Sequence, residues 1–463
     1  MPGEGRSPGS ECARTSRDKG IGVSLTTPEK IRTLQRALYV KAKQEPTRRF
    51  HALYDKVWRE DILAYAYACC HANGGAPGVD GETFARIEEY GVDRWLSAVR
   101  EEVRTARYTP RPVKRVMIPK PGGTGQRPLG IPTIRDRVVQ TAAVLVLEPI
   151  FEADFDEAAY GYRPHRSALD AVRRVHQAID EGHTEIVDAD VSKYFDTIPH
   201  SELMTCIARR ISDGKMLRLI RMWLKAPVEE TDAGGHRRMS GGQKATRGTP
   251  QGGVASPLLA NIYMHRFIKA FRKYGLDRRY GAVLVTYADD FVVLCRHGAG
   301  EVLETTRRWM TSIGLTLNEA KTRVCDARCE PFTFLGYTFG PMHSPRTGRC
   351  YNGAQPSKKA VAAIKERIRS RLRPGIQAPW EEVVRALNRT VPGWANYFSY
   401  GSVSKARHAV HLHLYHTVRR FLRRRQKTAG SGFWQFPLER VFGELGVVPL
   451  DPTPRRASAH ASP

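Results

Sequence analysis

Several absences narrow this sequence before any motif is read. Nowhere in its 463 residues does an apolar run approach the roughly 18 residues of a membrane span; residues 142–147 form one of the longest. The opening residues, MPGEGRSPGSECARTSRDKG, contain no apolar stretch of the kind found in a secretory signal. Cysteine is scarce, with eight residues in no regular spacing, which excludes a disulfide scaffold. The Gly-rich stretches lack GxxxxGK[ST], so no nucleotide-binding P-loop is present, and no internal repeat is found. Acid is the other shortage: 47 Asp+Glu face 74 Lys+Arg, a net charge of +27. Such an excess points to a polyanionic partner, nucleic acid foremost. A hydrophobic content of 41% fits a folded chain with a substantial core, and the length suggests about three domains.

Residues 1–25 carry no periodicity and are expected to be mobile. Thr27-Pro28-Glu29 reads as a helix start, with Thr as N-cap and Pro in the first turn. Four glycines and a proline make residues 73–81 (NGGAPGVDG) a tight loop, and residues 119–130 read as a second, basic loop. From about 185 to 340 the pattern becomes α/β. A strand runs through Ile186 and Val187 to Asp190, and an amphipathic helix starts at Ser256-Pro257. Apolar runs at 282–286 and 291–295 bracket Tyr287-Ala288-Asp289-Asp290, a hairpin with adjacent carboxylates at its tip. Residues 332–339 (FTFLGYTF) read as one further strand with a glycine kink. Beyond Gly353 the composition shifts. Residues 358–427 hold 17 Lys+Arg against Glu366, Glu381 and Glu382, a separate basic helical block expected to break at Pro374, Pro379 and Pro392.

The carboxylates need a reason on so basic a chain. An Asp-Asp pair in a turn is ordinary turn chemistry. Here, however, buried strands hold the tip, Asp190 ends another apolar strand, and the aromatic Phe195 follows it by five positions. Clustered carboxylates suit two divalent metals about 3.5–4 Å apart, as in nucleotidyl transfer. Mg²⁺ prefers such oxygen ligands and leaves positions open to phosphates.

Eight blocks in order carry a resemblance. They are NGGAPGVDG (73–81), RPLGIPT (127–133), YGYRPHRS (160–167), DADVSKYFDTI (188–198), GTPQGGVASP (248–257), YADD (287–290), LTLNEAKT (315–322) and FTFLGYTF (332–339). With these, the sequence resembles the reverse transcriptase/maturase proteins encoded by bacterial group II introns, over about residues 30–450.

The resemblance implies an α+β, right-hand polymerase: fingers and an α/β palm over 26–345, a basic helical thumb/maturase domain over 346–430, and a short DNA-binding-like segment with a tail over 431–463. It implies Asp190, Asp289 and Asp290 as catalytic, metal-binding residues, with the Val191 carbonyl as a further metal ligand. Asp188 shares a strand face with Asp190 and competes with it, the spacing to the aromatic favouring Asp190. Two Mg²⁺ ions are expected, with Mn²⁺ able to substitute. Phe195 matches the steric gate against a ribose 2′-hydroxyl. Gln251, Lys120, Arg127 and Lys321 match positions at the incoming dNTP, and Leu335 and Gly336 the element that positions the primer end.

In the basic block, Trp394 and Arg423, Arg424 and Arg425 are expected to meet RNA, the arginines touching phosphates without reading sequence. His408, His411, His413 and His416 spread around their helix and are expected at the surface or facing RNA. No C-x-x-C pair follows the basic block, so no metal-dependent endonuclease domain is expected there, and priming would use an existing DNA end.

The implied activity is RNA-directed DNA polymerisation during retrohoming, with binding of intron RNA to assist its splicing. The implied partners are group II intron RNA, an RNA template with a DNA primer, target DNA and dNTPs, with no membrane, in a cytoplasmic, nucleoid-associated setting. Two other readings stay open: a non-catalytic RNA-binding splicing factor, and a related reverse transcriptase serving CRISPR adaptation, hypervariation or phage defence.

Overall fold

The computed structural model describes residues 25–119, 125–232, 234–344, 347–427 and 430–450. The expected N-terminal mobile segment, Lys120 and the end of the C-terminal tail lie outside these residues. The chain divides into two compact units, one running to Cys325 and the other from Asp326.

In the first unit the helices Glu29–Gln44, Glu60–Asn73 and Ile134–Glu152 pack into one core with the helix Ser256–Lys273. The apolar run at 142–147 is buried at every position, inside Ile134–Glu152. The first helix starts one turn position later than the sequence suggests. Pro28 is its N-cap, and the Thr27 hydroxyl is instead hydrogen-bonded to the Tyr65 hydroxyl at 3.0 Å.

Two four-stranded sheets stand on this core. The first has the order β2-β1-β4-β5, from β1 (Val113–Pro119), β2 (Gln126–Ile131), β4 (Pro227–Thr231) and β5 (Arg237–Gly241). The expected loop at 119–130 is therefore mostly a strand pair, with Ile118 opposite Arg127. Its exposed, charged strands lack the apolar alternation that marks a strand in sequence. The second sheet has the order β6-β7-β3-β8, from β3 (Glu185–Asp190), β6 (Val283–Tyr287), β7 (Asp290–Cys295) and β8 (Arg323–Asp326). Here the strand to Asp190 and the hairpin around YADD form as read from the sequence. β7 is central and runs antiparallel to both β3 and β6.

The second unit has a three-stranded sheet, order β11-β10-β9, from β9 (Phe332–Phe334), β10 (Tyr337–His343) and β11 (Cys350–Pro356). FTFLGYTF is thus a hairpin and not one kinked strand: Phe334 pairs with Tyr337 across a two-residue turn. Leu335 and Gly336 both take positive φ, +48° and +80°, as such a tight turn requires. Three helices follow, Lys358–Arg371, Trp380–Tyr397 and Ser404–Arg425. Breaks fall at Pro374 and Pro379, but Pro392 sits inside Trp380–Tyr397. The one backbone bond it forfeits is offset by burial of Leu387 and Val391 on the face the helix packs. His411 also departs from expectation. It is buried, stacked on Phe442 at 4.6 Å, because it lies on the apolar side with Leu414, Tyr415 and Val418.

Candidate active site and comparison with known proteins

Strand pairing decides what meets at the end of the second sheet. Asp190, the last residue of β3, lies opposite Asp290, the first of β7. The turn between β6 and β7 is only Ala288-Asp289, and the Val191 amide donates to the Asp289 carbonyl at 3.2 Å. Asp190, Val191, Asp289 and Asp290 are thereby gathered by backbone bonds alone.

The turn is backed by the YGYRPHRS block. The Tyr160 amide donates to Thr286 O at 2.9 Å, and Asn261 Nδ2 to Gly161 O at 2.8 Å. A Cβ on Gly161 would come within 2.5 Å of the Ala288 amide nitrogen, so only glycine lets this segment press on the turn.

A second layer comes from LTLNEAKT. Leu317 bridges Val191, the Asn318 amide donates to Asp190 O at 2.8 Å, and Asn318 Nδ2 donates to Asp190 Oδ2 at 3.2 Å. Lys321 Nζ lies 2.9 Å from the same Oδ2, although its side chain is 62% exposed. The Lys321 ammonium is held above the usual range first by this hydrogen bond to Asp190, then by the charges of Asp190, Asp290 and Asp289. Burial holds the Asp289 carboxyl above its ordinary value, and the Asp190 charge adds to that, while Arg127 and Lys321 oppose it. Asp188, two residues back, faces Arg323 at 3.7 Å instead.

Among the described residues, no three His, Cys, Asp or Glu side chains are gathered as tightly as a metal ion would hold them. The donors still fit a hard divalent cation in kind. They are carboxylate and carbonyl oxygens only, with a protein cation already drawn to them.

Beside the aspartates, the PQGG turn and β2 interlock. The Gly130 amide donates to Gln251 O at 2.5 Å, and a Cβ on Gly252 would sit 2.3 Å from Gly130 O. This brings Arg127 Nε to Gln251 Oε1 at 3.0 Å, while Gln251 Nε2 donates to Asp196 Oδ2 at 3.1 Å. The Gln251 amide is therefore fixed at both ends. Phe195 is buried, edge-on to Tyr162 at 6.2 Å and to Tyr194 at 5.8 Å, and its carbonyl accepts from the Thr249 amide at 2.6 Å. Sequence reasoning passed over Asp196 and Asn318. Both sit inside blocks that were noticed, each beside a residue with a louder signal, Phe195 and Lys321.

In the second unit, the Leu335-Gly336 turn is held by its own surroundings. Tyr397 Oη donates to Leu335 O at 2.8 Å, and the Ser357 amide to Gly336 O at 2.9 Å. Trp394 is half-buried with its ring 5.1 Å from Phe398, and its indole N–H is buried without a hydrogen-bond partner among the described residues. The three arginines diverge. Arg423 Nη1 donates to Gly430 O at 2.7 Å and Arg425 Nη1 to Ala378 O at 2.8 Å, while Arg424 and Arg425 both line a cavity.

Residues 118–339 match the reverse transcriptase (RNA-dependent DNA polymerase) family, and residues 361–437 match the group II intron maturase-specific domain. Protein YkfC of Escherichia coli (strain K12) is 34% identical over 346 residues, covering 66% of this chain and 87% of YkfC. The group II intron-encoded protein LtrA of Lactococcus lactis subsp. cremoris is 35% identical over 222 residues, 48% of this chain and 35% of LtrA. The chain thus spans most of YkfC but about a third of LtrA. A telomerase structure from Candida albicans aligns at 12% identity and TM-score 0.40, over 71% of this chain and 64% of that one, a likeness too weak to carry an argument. The reverse transcriptase family generally uses divalent metals, and a maturase domain implies binding of intron RNA. No helix among the described residues is long and apolar enough to cross a membrane. This chain belongs to the group II intron-encoded reverse transcriptases/maturases, RNA-directed DNA polymerases with an α+β fold.

Proposed function

We propose that the aspartates at the end of the second sheet are the nucleotidyl-transfer centre, with which the protein copies group II intron RNA into DNA during retrohoming. One observation carries this reading: Asp190 and Asp290 face each other across β3 and β7, with Asp289 tied to Val191 at the turn. In this reading residues 26–345 are fingers and palm, and 346–430 the thumb/maturase domain.

Asp190, Asp289 and Asp290, with the Val191 carbonyl, would hold divalent metal, two Mg²⁺ or Mn²⁺ in their place. Such metal supplies activation of a 3′-hydroxyl and charge neutralisation on the leaving pyrophosphate. The other residues bind and orient. Arg127 and Lys120 offset charge on the triphosphate. Gln251, its amide fixed between Arg127 and Asp196, presents a preset surface to the dNTP. Phe195, walled by Tyr162 and Tyr194, leaves no room for a 2′-hydroxyl. Lys321 holds Asp190 by an ion pair, on a carboxylate that would also hold metal. Leu335 and Gly336 position the primer end, and Trp394 with Arg423, Arg424 and Arg425 serves the RNA-binding surface. The partners are intron RNA, an RNA template with a DNA primer, target DNA and dNTPs, in the cytoplasm at the nucleoid.

The test separates two activities. Wild-type protein is expected to extend a DNA primer on an RNA template with dNTPs and Mg²⁺, and to raise splicing of its intron at limiting Mg²⁺. Asp289→Ala is expected to abolish extension and leave the splicing effect. Splicing assistance without extension by the wild type would reduce the protein to a maturase and overturn the polymerase assignment.

A further inference from the structure

In the second unit, the turn after the helix Lys358–Arg371 and the last turns of Ser404–Arg425 enclose a cavity of about 340 Å³. That is within the range of small-ligand sites, about 300–1,000 Å³. Its wall has two chemistries. Five arginines line it: Arg369 pairs with Glu366 at 3.1 Å and Arg425 donates to Ala378 O, while Arg373, Arg420 and Arg424 have no carboxylate within ion-pair distance among the described residues. Leu372, Ile376 and Phe421 supply apolar surface, and the Phe421 ring stacks with Trp380 at 6.3 Å.

Five guanidinium groups around one hollow repel one another, and with Glu366 the partner of Arg369 alone, an entering anion relieves the rest. Planar guanidinium forks match phosphate oxygens in pairs. An apolar, aromatic floor beneath them adds what a phosphate alone does not use, a surface for a base. Duplex RNA offers phosphates but keeps its bases stacked inside, so only an unpaired nucleotide satisfies both halves of the wall.

We propose that this cavity receives a single unpaired nucleotide of the bound RNA, its phosphate among Arg373, Arg420 and Arg424 and its base on the Ile376–Phe421 floor. The inference rests on the proposed RNA-binding role and deepens it. Phosphate contact at Arg424 becomes selective for RNA that can extrude a base, and does not reduce to charge alone.

The test uses the full chain and two RNA hairpins of equal length, one fully paired and one with a single bulged nucleotide. Wild type is expected to bind the bulged hairpin at least about tenfold more tightly. Ile376→Trp, which fills the floor and keeps every charge, should erase that preference and leave paired-hairpin affinity within about twofold. Arg373→Gln/Arg420→Gln should weaken the bulged hairpin more than the paired one, with thermal melting of both variants confirming the fold. Equal binding of the two hairpins by wild type, or parallel losses for both in the arginine variant, would overturn the pocket. Primer extension by the wild type, measured apart, tests the underlying reading, so the two failures are distinguishable.

Discussion

Lys321 Nζ and Asp190 Oδ2 are 2.9 Å apart, so a protein cation stands on the carboxylate to which the site would bind metal. The lysine is 62% exposed and the aspartate 12%, and an ion pair with one end open to solvent is worth about 1 kcal/mol, roughly fivefold in an equilibrium. Lys321→Ala is therefore expected to lower the half-saturating Mg²⁺ concentration for primer extension about two- to fivefold at saturating dNTP. A Mg²⁺ titration of initial rates checks this, and an unchanged or higher requirement would count against competition between lysine and metal.

Asp196 accepts from the Gln251 amide, and in the proposed pose it would act on substrate through Gln251. Asp196→Ala should raise the KM for dNTP about three- to tenfold and change kcat much less. Asp196→Asn, able to present an oxygen in the same place, should recover much of the loss. Equal falls in kcat from both variants would mark a structural role instead.

Phe195 stands between Tyr162 and Tyr194, the side a nucleotide sugar would meet in the proposed pose. Phe195→Ala is expected to raise ribonucleotide relative to deoxyribonucleotide incorporation by about tenfold or more. It should also lower stability, since truncating a buried Phe costs about 3–5 kcal/mol. Single-nucleotide addition with paired dNTP and rNTP measures the ratio, and an unchanged ratio rejects the gate.

His265 gives a pH dependence whose sign can be worked out. Its ring is buried edge-on to Phe155 at 5.6 Å, and neither ring nitrogen has a hydrogen-bond partner among the described residues. Burial, with Lys269 and Arg163 nearby and Asp156 opposing, pushes its pKa from 6.5 to about 4. Below pH 6.5 the unfolded chain takes up a proton that the folded chain refuses. Stability from this residue is full above about pH 6.5 and falls as pH drops toward 4. His265→Leu should thus be relatively more stable than wild type at pH 5 than at pH 8, by about 1–2 kcal/mol. Denaturant melts at the two pH values decide it, and a pH-independent difference would remove His265 as the source.

The sequence was most informative where apolar runs bracket polar residues. β6 and β7 are buried almost throughout, so their ends, and the Asp289 turn between them, could be read directly. Asp190 was legible for the same reason, at the end of buried β3. What escaped had a local signal at odds with its tertiary setting. Leu at the first position of the β9–β10 turn hides a hairpin that Asn or Gly would have announced. The strands flanking residue 120 are exposed or half-buried at every position but Val113 and show no alternation. His411 reads as polar, yet the helix phase puts it against Phe442. Asp196 acquires its purpose only when Gln251, 55 positions away, folds against it.

The assignment of the centre turns on which strand-end carboxylate acts. Asp188 and Asp190 share a face of β3, but Asp188 looks to Arg323 while Asp190 meets Lys321, Asn318 and the strand position of Asp290. The decisive measurement is primer extension on an RNA template by wild type, Asp188→Ala, Asp190→Ala and Asp289→Ala, with RNA binding as the control for folding. Asp190→Ala and Asp289→Ala should each lose at least about 10²–10³-fold in rate, the scale of removing one preorganised electrostatic group. Asp188→Ala should stay within about tenfold of wild type. Robust extension by Asp190→Ala, or its loss only in Asp188→Ala, would contradict the proposed centre.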